Sequence, residues 1–188
     1  MIVKKIILFD FFGVISSEVA PKWFRRYFNE SDAKRIKDKV MVPGDLGEKT
    51  EDEILDEAAR ICNVEKKYVK DEWYELAKVD TDVVEYIKNL HKSHPVYLLS
   101  NAVASFLKTI IYKNDIEKIF DKIYISSELK LAKPDPEFFV RCLSDIGASP
   151  YDCVMIDDNP NNVAAAESVG ITGILYRGLD DLKRKLEK

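Results

Sequence analysis

Short apolar segments alternate with helical patterns along most of this chain, and this alternation is the strongest constraint on its fold. Each segment ends at a turn signal or at polar residues, as buried strands do. Strands that alternate with helices form a parallel sheet covered on both faces, so we expect an α/β fold with a parallel five-stranded sheet. The predicted strands are residues 3–9, 96–99, 122–126, 153–156 and 171–176.

The stretch between the first two strands has a different character. Residues 16–79 carry helical patterns and no convincing strand, and a capping box at Thr50–Glu53 predicts the start of one helix. We therefore predict two parts: an α/β core formed by residues 1–15 and 80–188, and an all-helical insert formed by residues 16–79. The other elements expected in the insert are helices at Glu18–Phe28 and Val64–Val79 and a turn at Pro43–Gly47.

Composition argues against two classes of partner. The 188 residues carry a formal net charge of −4 with both signs interspersed, which is unlike a nucleic-acid-binding surface. No apolar run approaches the roughly 18 residues of a membrane span. The N-terminal apolar stretch contains Lys4, Lys5 and Asp10, so we expect a core strand there rather than a signal peptide. Three cysteines without paired spacing favour a reducing, cytoplasmic compartment.

Polar residues follow the predicted strands or the loops after them. The first strand runs directly into Asp10, and Gly13 follows three residues later. Because the carboxyl ends of parallel strands lie along one edge of a sheet, these side chains are expected to converge in one crevice. The candidate site residues are Asp10, Ser100, Asn101, Lys133, Asp157 and Asp158.

Each of these residues also has a simpler interpretation. Ser100 and Asn101 are of the types that cap helices, Lys133 is of a type usually exposed in loops, and Asp158 lies where an N-cap is expected. Together these interpretations fit less well, because three carboxylates at neighbouring strand ends repel one another. A hard divalent cation would compensate them, and Mg²⁺ needs only one or two carboxylates besides waters and a phosphate.

The order and spacing of these residues resemble the four motifs of the haloacid dehalogenase-like (HAD) hydrolases over nearly the whole chain. The paired aspartates and the helical insert resemble the branch that contains bacterial sugar-1-phosphate phosphatases and the N-terminal phosphatase domain of soluble epoxide hydrolase. This resemblance implies a Rossmann-like core, a helical cap, and Mg²⁺-dependent hydrolysis of a small phosphorylated metabolite. The matching residues are Asp10 with Gly13-Val14, Ser100-Asn101, Lys133-Pro134-Asp135-Pro136-Glu137, and Met155-Ile156-Asp157-Asp158-Asn159 with Asn162.

The resemblance also implies a role for each candidate residue. Asp10 would be the nucleophile that attacks phosphorus and forms an aspartyl-phosphate. Ser100 and Asn101 would hold phosphate oxygens, while Lys133 would orient Asp10 and offset charge. The groups around Mg²⁺ would be Asp10, Asp158, the backbone carbonyl of Phe12 and, as an outer or water-mediated ligand, Asp157.

One position departs from the family pattern. Phosphatases of this family usually carry a second aspartate two residues after the nucleophile, which protonates the leaving group and then activates water. Here that residue is Phe12, which can do neither. General acid–base help contributes about 10²–10⁴ in rate. We therefore expect slow hydrolysis, or hydrolysis limited to good leaving groups such as anomeric sugar phosphates, unless Glu18, Asp45 or Glu48 substitutes.

Phe12 also keeps two other functions open. Dehalogenases of the superfamily have an aromatic residue at this position and use no metal, so a metal-independent 2-haloacid dehalogenase is one alternative. Asp157 and Asp158 argue against it, because dehalogenases resemble this chain less there and have small hydroxyl residues instead. The other alternative is a catalytically idle HAD-like binding protein, against which the intact Asp10, Lys133 and Asp158 count.

Overall fold

The computed structural model describes residues 5–186 and confirms the α/β architecture. The strands are β1 (Ile6–Phe9), β2 (Val96–Ser100), β3 (Lys122–Ile125), β4 (Cys153–Asp157) and β5 (Thr172–Leu175). They pair in parallel in the order β3-β2-β1-β4-β5, as the Rossmann-like prediction requires. Residues 3 and 4, the start of the first predicted strand, lie outside the described residues.

Ten α-helices connect or follow these strands within residues 5–186. In chain order they are α1 (Ala20–Phe24), α2 (Glu30–Asp45), α3 (Glu51–Cys62), α4 (Lys66–Leu76), α5 (Thr81–His91), α6 (Ala104–Lys113), α7 (Ser126–Leu129), α8 (Pro136–Ile146), α9 (Pro160–Ser168) and α10 (Leu179–Leu186).

Each face of the sheet is covered by its own apolar cluster. Successive strand residues point to opposite faces, so Phe9 belongs to one cluster and Leu8 to the other. The Phe9 cluster includes Ile87 of α5 and continues into α1–α4, whereas the Leu8 cluster includes Phe138 of α8. Helices therefore cover both faces, as predicted.

Helices α1–α4 lie within the predicted insert, and the chain enters and leaves this segment at one place. The Ser17 N–H donates to the Lys78 carbonyl (3.0 Å), and the Asp80 N–H donates to the Ile15 carbonyl (2.8 Å). The capping box forms as expected at Thr50, which opens α3. The boundaries at residues 16 and 79 remain a prediction. The two backbone segments that lead into and out of the insert lie side by side there.

The predicted turn at Pro43–Gly47 is wrong in its first half. Helix α2 continues through Pro43, and only the residues after Asp45 leave the helix, with Gly47 at φ +69°. Proline lacks one backbone donor, which normally disfavours a helix interior. Here Pro43 lies in the last turn, and its carbonyl accepts from the N–H groups of Glu48 and Lys49 (2.8 and 3.2 Å). These bonds satisfy the end of the helix.

The end of α2 packs closely against α3, α7 and the loop after β2. A Cβ atom on Gly44 would lie 2.8 Å from the side chain of Val103 and 3.1 Å from that of Ile54. A Cβ atom on Gly47 would lie 2.3 Å from the backbone oxygen of Ser127. Both glycines therefore permit a backbone approach that a larger residue would prevent, and this approach fixes the position of the helix end.

We predict that Gly47→Ala destabilises the protein more than Gly147→Ala. Both glycines have a positive φ, +69° and +71°, which costs alanine about 1–2 kcal/mol. Only Gly47 also faces a backbone atom, whereas a Cβ on Gly147 would meet nothing within 4 Å. The difference between the unfolding free energies of the two variants, measured in urea, reports the cost of the contact with Ser127. Equal losses of unfolding free energy would show that α2 does not depend on it.

Candidate active site

The ends of β1 and β4 bring two carboxylates together at the switch point of the sheet. The chain moves outward from β1 through β2 and β3 on one side and through β4 and β5 on the other. Ligands of open α/β sheets bind at such a point, beyond the carboxyl ends of the strands. Asp10 follows β1, Asp157 ends β4, and the Asp10 N–H donates to the Ile156 carbonyl (2.9 Å).

The side chain of Lys133 lies between these two carboxylates. Its Nζ is 2.9 Å from Asp10 Oδ1 and 2.7 Å from Asp157 Oδ2, and the lysine side chain is fully buried. Asn101 holds the lysine backbone from both sides: its Nδ2 donates to the Lys133 carbonyl (2.6 Å), and its Oδ1 accepts from the Lys133 N–H (2.9 Å). The loop after β2 therefore positions the ammonium group.

Both carboxylate oxygens of Asp157 have hydrogen-bond donors. Oδ1 accepts from the Asn159 N–H (2.9 Å), and Asn162 Nδ2 lies 3.1 Å from each oxygen. Asp157 is completely buried, so these contacts and Lys133 satisfy a charge that has no access to water. Asn162 belongs to the sequence motif, but its contact with Asp157 could not be predicted from the motif alone.

Asp158 lies directly over the backbone of Gly13. This glycine has φ +89°, and a Cβ atom on it would lie 2.2 Å from Asp158 Oδ2. The loop after β1 therefore needs glycine at this position for two reasons, its conformation and the carboxylate above it. The consequence is a third carboxylate beside the first two: oxygens of Asp10, Asp157 and Asp158 lie within 4.8 Å of one another.

The burial of these groups shifts their ionisation. Burial, and then the charge of Asp157, raise the pKa of Asp10 well above its usual value, against the opposing effect of Lys133. Burial raises the pKa of Asp158 to about 6. Burial alone would lower the pKa of Lys133, but the charges of Asp10 and Asp157 outweigh it and raise that pKa. The lysine therefore stays charged and balances one of the three carboxylates.

The oxygen atoms of this carboxylate cluster are suitable ligands for a hard divalent cation. Two of the three carboxylate charges have no positive side chain to balance them in this cluster. The loop after β1 adds a neutral oxygen: the Phe11 carbonyl accepts from Val14, Ile15 and Ser16, whereas no backbone N–H of residues 5–186 donates to the Phe12 carbonyl. Carboxylate and carbonyl oxygens are the ligands that Mg²⁺ prefers.

The hydroxyl of Ser100 is buried without a hydrogen-bond partner. Over residues 5–186, two buried side-chain polar atoms have this property, Ser100 Oγ and Trp73 Nε1. Such a donor costs free energy unless a ligand satisfies it. Ser100 ends β2, which neighbours β1, so its hydroxyl is at the same edge of the sheet as Asp10.

A cavity of about 180 Å³, here called the site cavity, opens above the strand ends. Several residues that line it could not be assigned from the sequence, because they come from the helical segment and from the loop after β2. The packing of the end of α2 on α7 and the loop after β2, and of Trp73 in α4 on Phe106 in α6, brings several of them there. The lining residues used below are Asp10, Phe12, Glu18, Lys37, Asp45, Glu51, Trp73, Phe106 and Asp158.

Two relatives and one solved structure place these observations in context. D-ribitol-5-phosphate phosphatase from Bacteroides thetaiotaomicron is 29% identical over 182 residues, 88% of each chain. Drimenol cyclase from Aspergillus calidoustus is 32% identical over 147 residues, which are 74% of this chain. The chain spans only 28% of the length of that cyclase.

The solved structure is a HAD family enzyme from Bacteroides thetaiotaomicron in complex with magnesium and inorganic phosphate. It superimposes with a TM-score of 0.77 at 27% identity and covers 93% of this chain and 94% of its own. None of the helices within residues 5–186 is long and apolar enough to cross a bilayer. The model of the haloacid dehalogenase-like hydrolases matches residues 4–170, and the chain therefore belongs to this hydrolase family.

Proposed function

We propose that this protein hydrolyses a small phosphomonoester, with Mg²⁺, through a phospho-Asp10 intermediate. The observation that carries the proposal is the position of Lys133, 2.9 Å from Asp10 in a cluster of three carboxylates. This arrangement keeps a buried carboxylate available as a nucleophile. The negative charge that Lys133 does not balance can be balanced by a dication, which would also attract a phosphate. The names of relatives, among them the D-ribitol-5-phosphate phosphatase, support the same chemistry.

In the proposed reaction, each group of the site acts at a defined atom. An Asp10 oxygen attacks phosphorus, and Lys133 Nζ orients that carboxylate. Ser100 Oγ, which has no partner, donates to a phosphate oxygen. Asn101 contributes through its backbone N–H and positions Lys133 with its side chain. Asp10, Asp158 and the carbonyl of Phe12 would hold Mg²⁺, with Asp157 as an outer neighbour.

The charges explain why both cations are needed. A carboxylate about 4 Å from a phosphate charge is repelled by roughly 4 kcal/mol at an effective dielectric constant of 20. Lys133 offsets part of this repulsion. When bound, Mg²⁺ supplies the remaining positive charge and stabilises the charge on the transferring phosphoryl group.

We propose a small, soluble phosphate ester as the substrate, because the site cavity measures about 180 Å³. Residues 16–79 act as a cap that contributes walls of this cavity, with residues 1–15 and 80–188 as the core. Phe12 supplies no proton to the leaving group, so hydrolysis is slow or limited to good leaving groups unless another residue substitutes. The three free cysteines favour a reducing compartment such as the cytoplasm.

Metal-independent dehalogenation is the second candidate, and Phe12 is the observation that favours it. Phe12 stacks on Phe106 with ring centroids 6.0 Å apart, which gives the site cavity an apolar wall. The charge balance favours the phosphatase, since a reaction without a metal would leave two buried or half-buried carboxylates beside Asp10 with a single lysine. Binding without catalysis is the third candidate.

We expect the protein to hydrolyse p-nitrophenyl phosphate in Mg²⁺, and we expect Asp10→Asn or chelation by EDTA to reduce the rate to background. Asp152→Asn is the matched control, because Asp152 lies at the opposite end of β4 and should leave the rate unchanged. Hydrolysis that survives Asp10→Asn in a folded protein would contradict the phosphatase assignment. Turnover of 2-haloacids without metal would support the dehalogenase instead.

Lys133→Met is predicted to destabilise the fold more at pH 8 than at pH 5. Removing one partner of a buried ion pair costs about 3–5 kcal/mol, because Asp10 and Asp157 are left without compensation. The pKa of Asp10, which burial already raises, then rises further in the folded state because Lys133 no longer opposes the rise, so the folded variant binds a proton that the unfolded chain does not. Its stability therefore falls as the pH rises through this range.

Urea unfolding at the two pH values measures this difference. Lys118→Met, at an exposed lysine, is the control and should change the unfolding free energy by less than about 0.5 kcal/mol. A loss for Lys133→Met that is the same at pH 5 and pH 8 would show that the lysine does not balance the two carboxylates.

A further inference from the structure

The site as described has a nucleophile but lacks a proton donor for the leaving group. An alkoxide leaves phosphorus poorly unless its oxygen is protonated as the bond breaks. The side chain at position 12 is a phenyl ring stacked on Phe106 and carries no exchangeable proton. We propose that Asp45, at the end of α2, is the general acid and base of this site, an inference that rests on the proposed phosphatase function.

The position of Asp45 supports this role. Asp45 is half-buried and lines the site cavity together with Asp10 and Phe12. In phosphoryl transfer the nucleophile and the leaving oxygen lie roughly in line on opposite sides of phosphorus. With Asp10 at the sheet edge, the leaving oxygen points away from the strands, towards the helical segment to which Asp45 belongs.

The helix end that carries Asp45 is held by close backbone packing. Gly44 contacts Val103 in the loop after β2, and Gly47 lies against the backbone of Ser127. That loop is joined to α7, which contains Ser127, because the N–H of Ala104 at the start of α6 donates to Ser127 Oγ (3.0 Å). Asp45 is therefore fixed relative to the loop that follows Ser100, as a group acting on a bound phosphate ester must be.

The electrostatic environment suits proton transfer near neutral pH. Burial raises the pKa of Asp45 to about 7, with Asp38 adding to the rise and Lys37 and Lys133 opposing it. The charge of Lys133 acts on the Asp45 carboxyl group and lowers its pKa, which is consistent with the position of Asp45 at the site cavity. A pKa close to the working pH suits a residue that must donate and then accept a proton. The charged groups around it are Lys37, Asp38, Lys133, Glu18, Glu51, Asp10 and Asp158.

The other nearby carboxylates are less suited. Glu48 is exposed and does not line the site cavity. Glu18 lines it, but its charge acts on Asp158, which places Glu18 on the proposed metal side. Glu51 also lines the cavity, and its two oxygens accept hydrogen bonds from Tyr74 Oη (2.8 Å) and Ser105 Oγ (2.6 Å). Asp45 is the cavity carboxylate that remains.

The two proposed steps balance. In the first, an Asp10 oxygen bonds to phosphorus, the bond from phosphorus to the leaving oxygen breaks, and that oxygen takes the proton of Asp45 to give a neutral alcohol. In the second, a water oxygen bonds to phosphorus and the bond to Asp10 breaks. The proton of that water returns to the Asp45 carboxylate, and inorganic phosphate is released.

The test is a leaving-group series on the wild type, Asp45→Asn and the control Glu48→Gln. The probes are p-nitrophenyl, phenyl and benzyl phosphate, whose leaving groups are similar in shape and increasingly basic. For Asp45→Asn we expect kcat/KM on benzyl phosphate to fall by about 10²–10⁴, and on p-nitrophenyl phosphate by less than about tenfold. Retained hydrolysis of p-nitrophenyl phosphate also shows that the variant is folded. Glu48→Gln should match the wild type throughout.

The pH profile gives an independent readout. In the wild type, kcat/KM for benzyl phosphate should fall as the pH rises above about 7, because Asp45 must carry its proton. This fall should be absent for p-nitrophenyl phosphate and absent in Asp45→Asn. An equal effect of Asp45→Asn on all three probes, or none, would overturn the inference while leaving the phosphatase assignment intact. That assignment fails only if Asp10-dependent hydrolysis is absent in the wild type.

Discussion

The buried Lys133 ammonium is the contact on which the rest of the site depends. It bridges Asp10 and Asp157, and these two residues follow or end the central strands β1 and β4. An unpaired charge at this depth would cost several kcal/mol, so the burial of these two carboxylates depends on the lysine between them. Asn101 fixes the lysine through its backbone, so one ion-paired cluster ties the first, second and fourth strands and the loop before α8 together.

The same cluster also links stability to ligand binding. Lys133 balances one carboxylate, and the excess negative charge opposes a phosphate unless a dication is present. In the proposed reaction, a divalent ion would therefore favour both the folded state and the entry of substrate by the same Coulomb interaction. Gly13 contributes to this coupling, because its missing side chain lets Asp158 approach the loop that carries the Phe12 carbonyl.

Most of the sheet and the composition of the cluster could be predicted, because both depend on local patterns. The strand positions, the capping box at Thr50 and the parallel arrangement of the strands follow from periodicity and short motifs. The course of α2 could not be predicted in this way. Its apolar stripe is narrow, Pro43 suggests a break, and the end of the helix packs on α3, α7 and the loop after β2. From the sequence, Asp45 is only one of three possible substitutes for the missing acid, and the packing of α2 is what places it at the site cavity.

A phenyl ring at position 12 is compatible with the proposed role of Asp45 as proton donor. An aspartate at position 12 would add a fourth carboxylate to a cluster that already carries excess negative charge, and the phenyl ring avoids that repulsion. The ring also stacks on Phe106 and gives the site cavity an apolar wall. In the proposed site, a proton donor on α2 is separated from the groups that would hold the metal. Proton transfer would then depend on how closely α2 packs on α7 and the loop after β2.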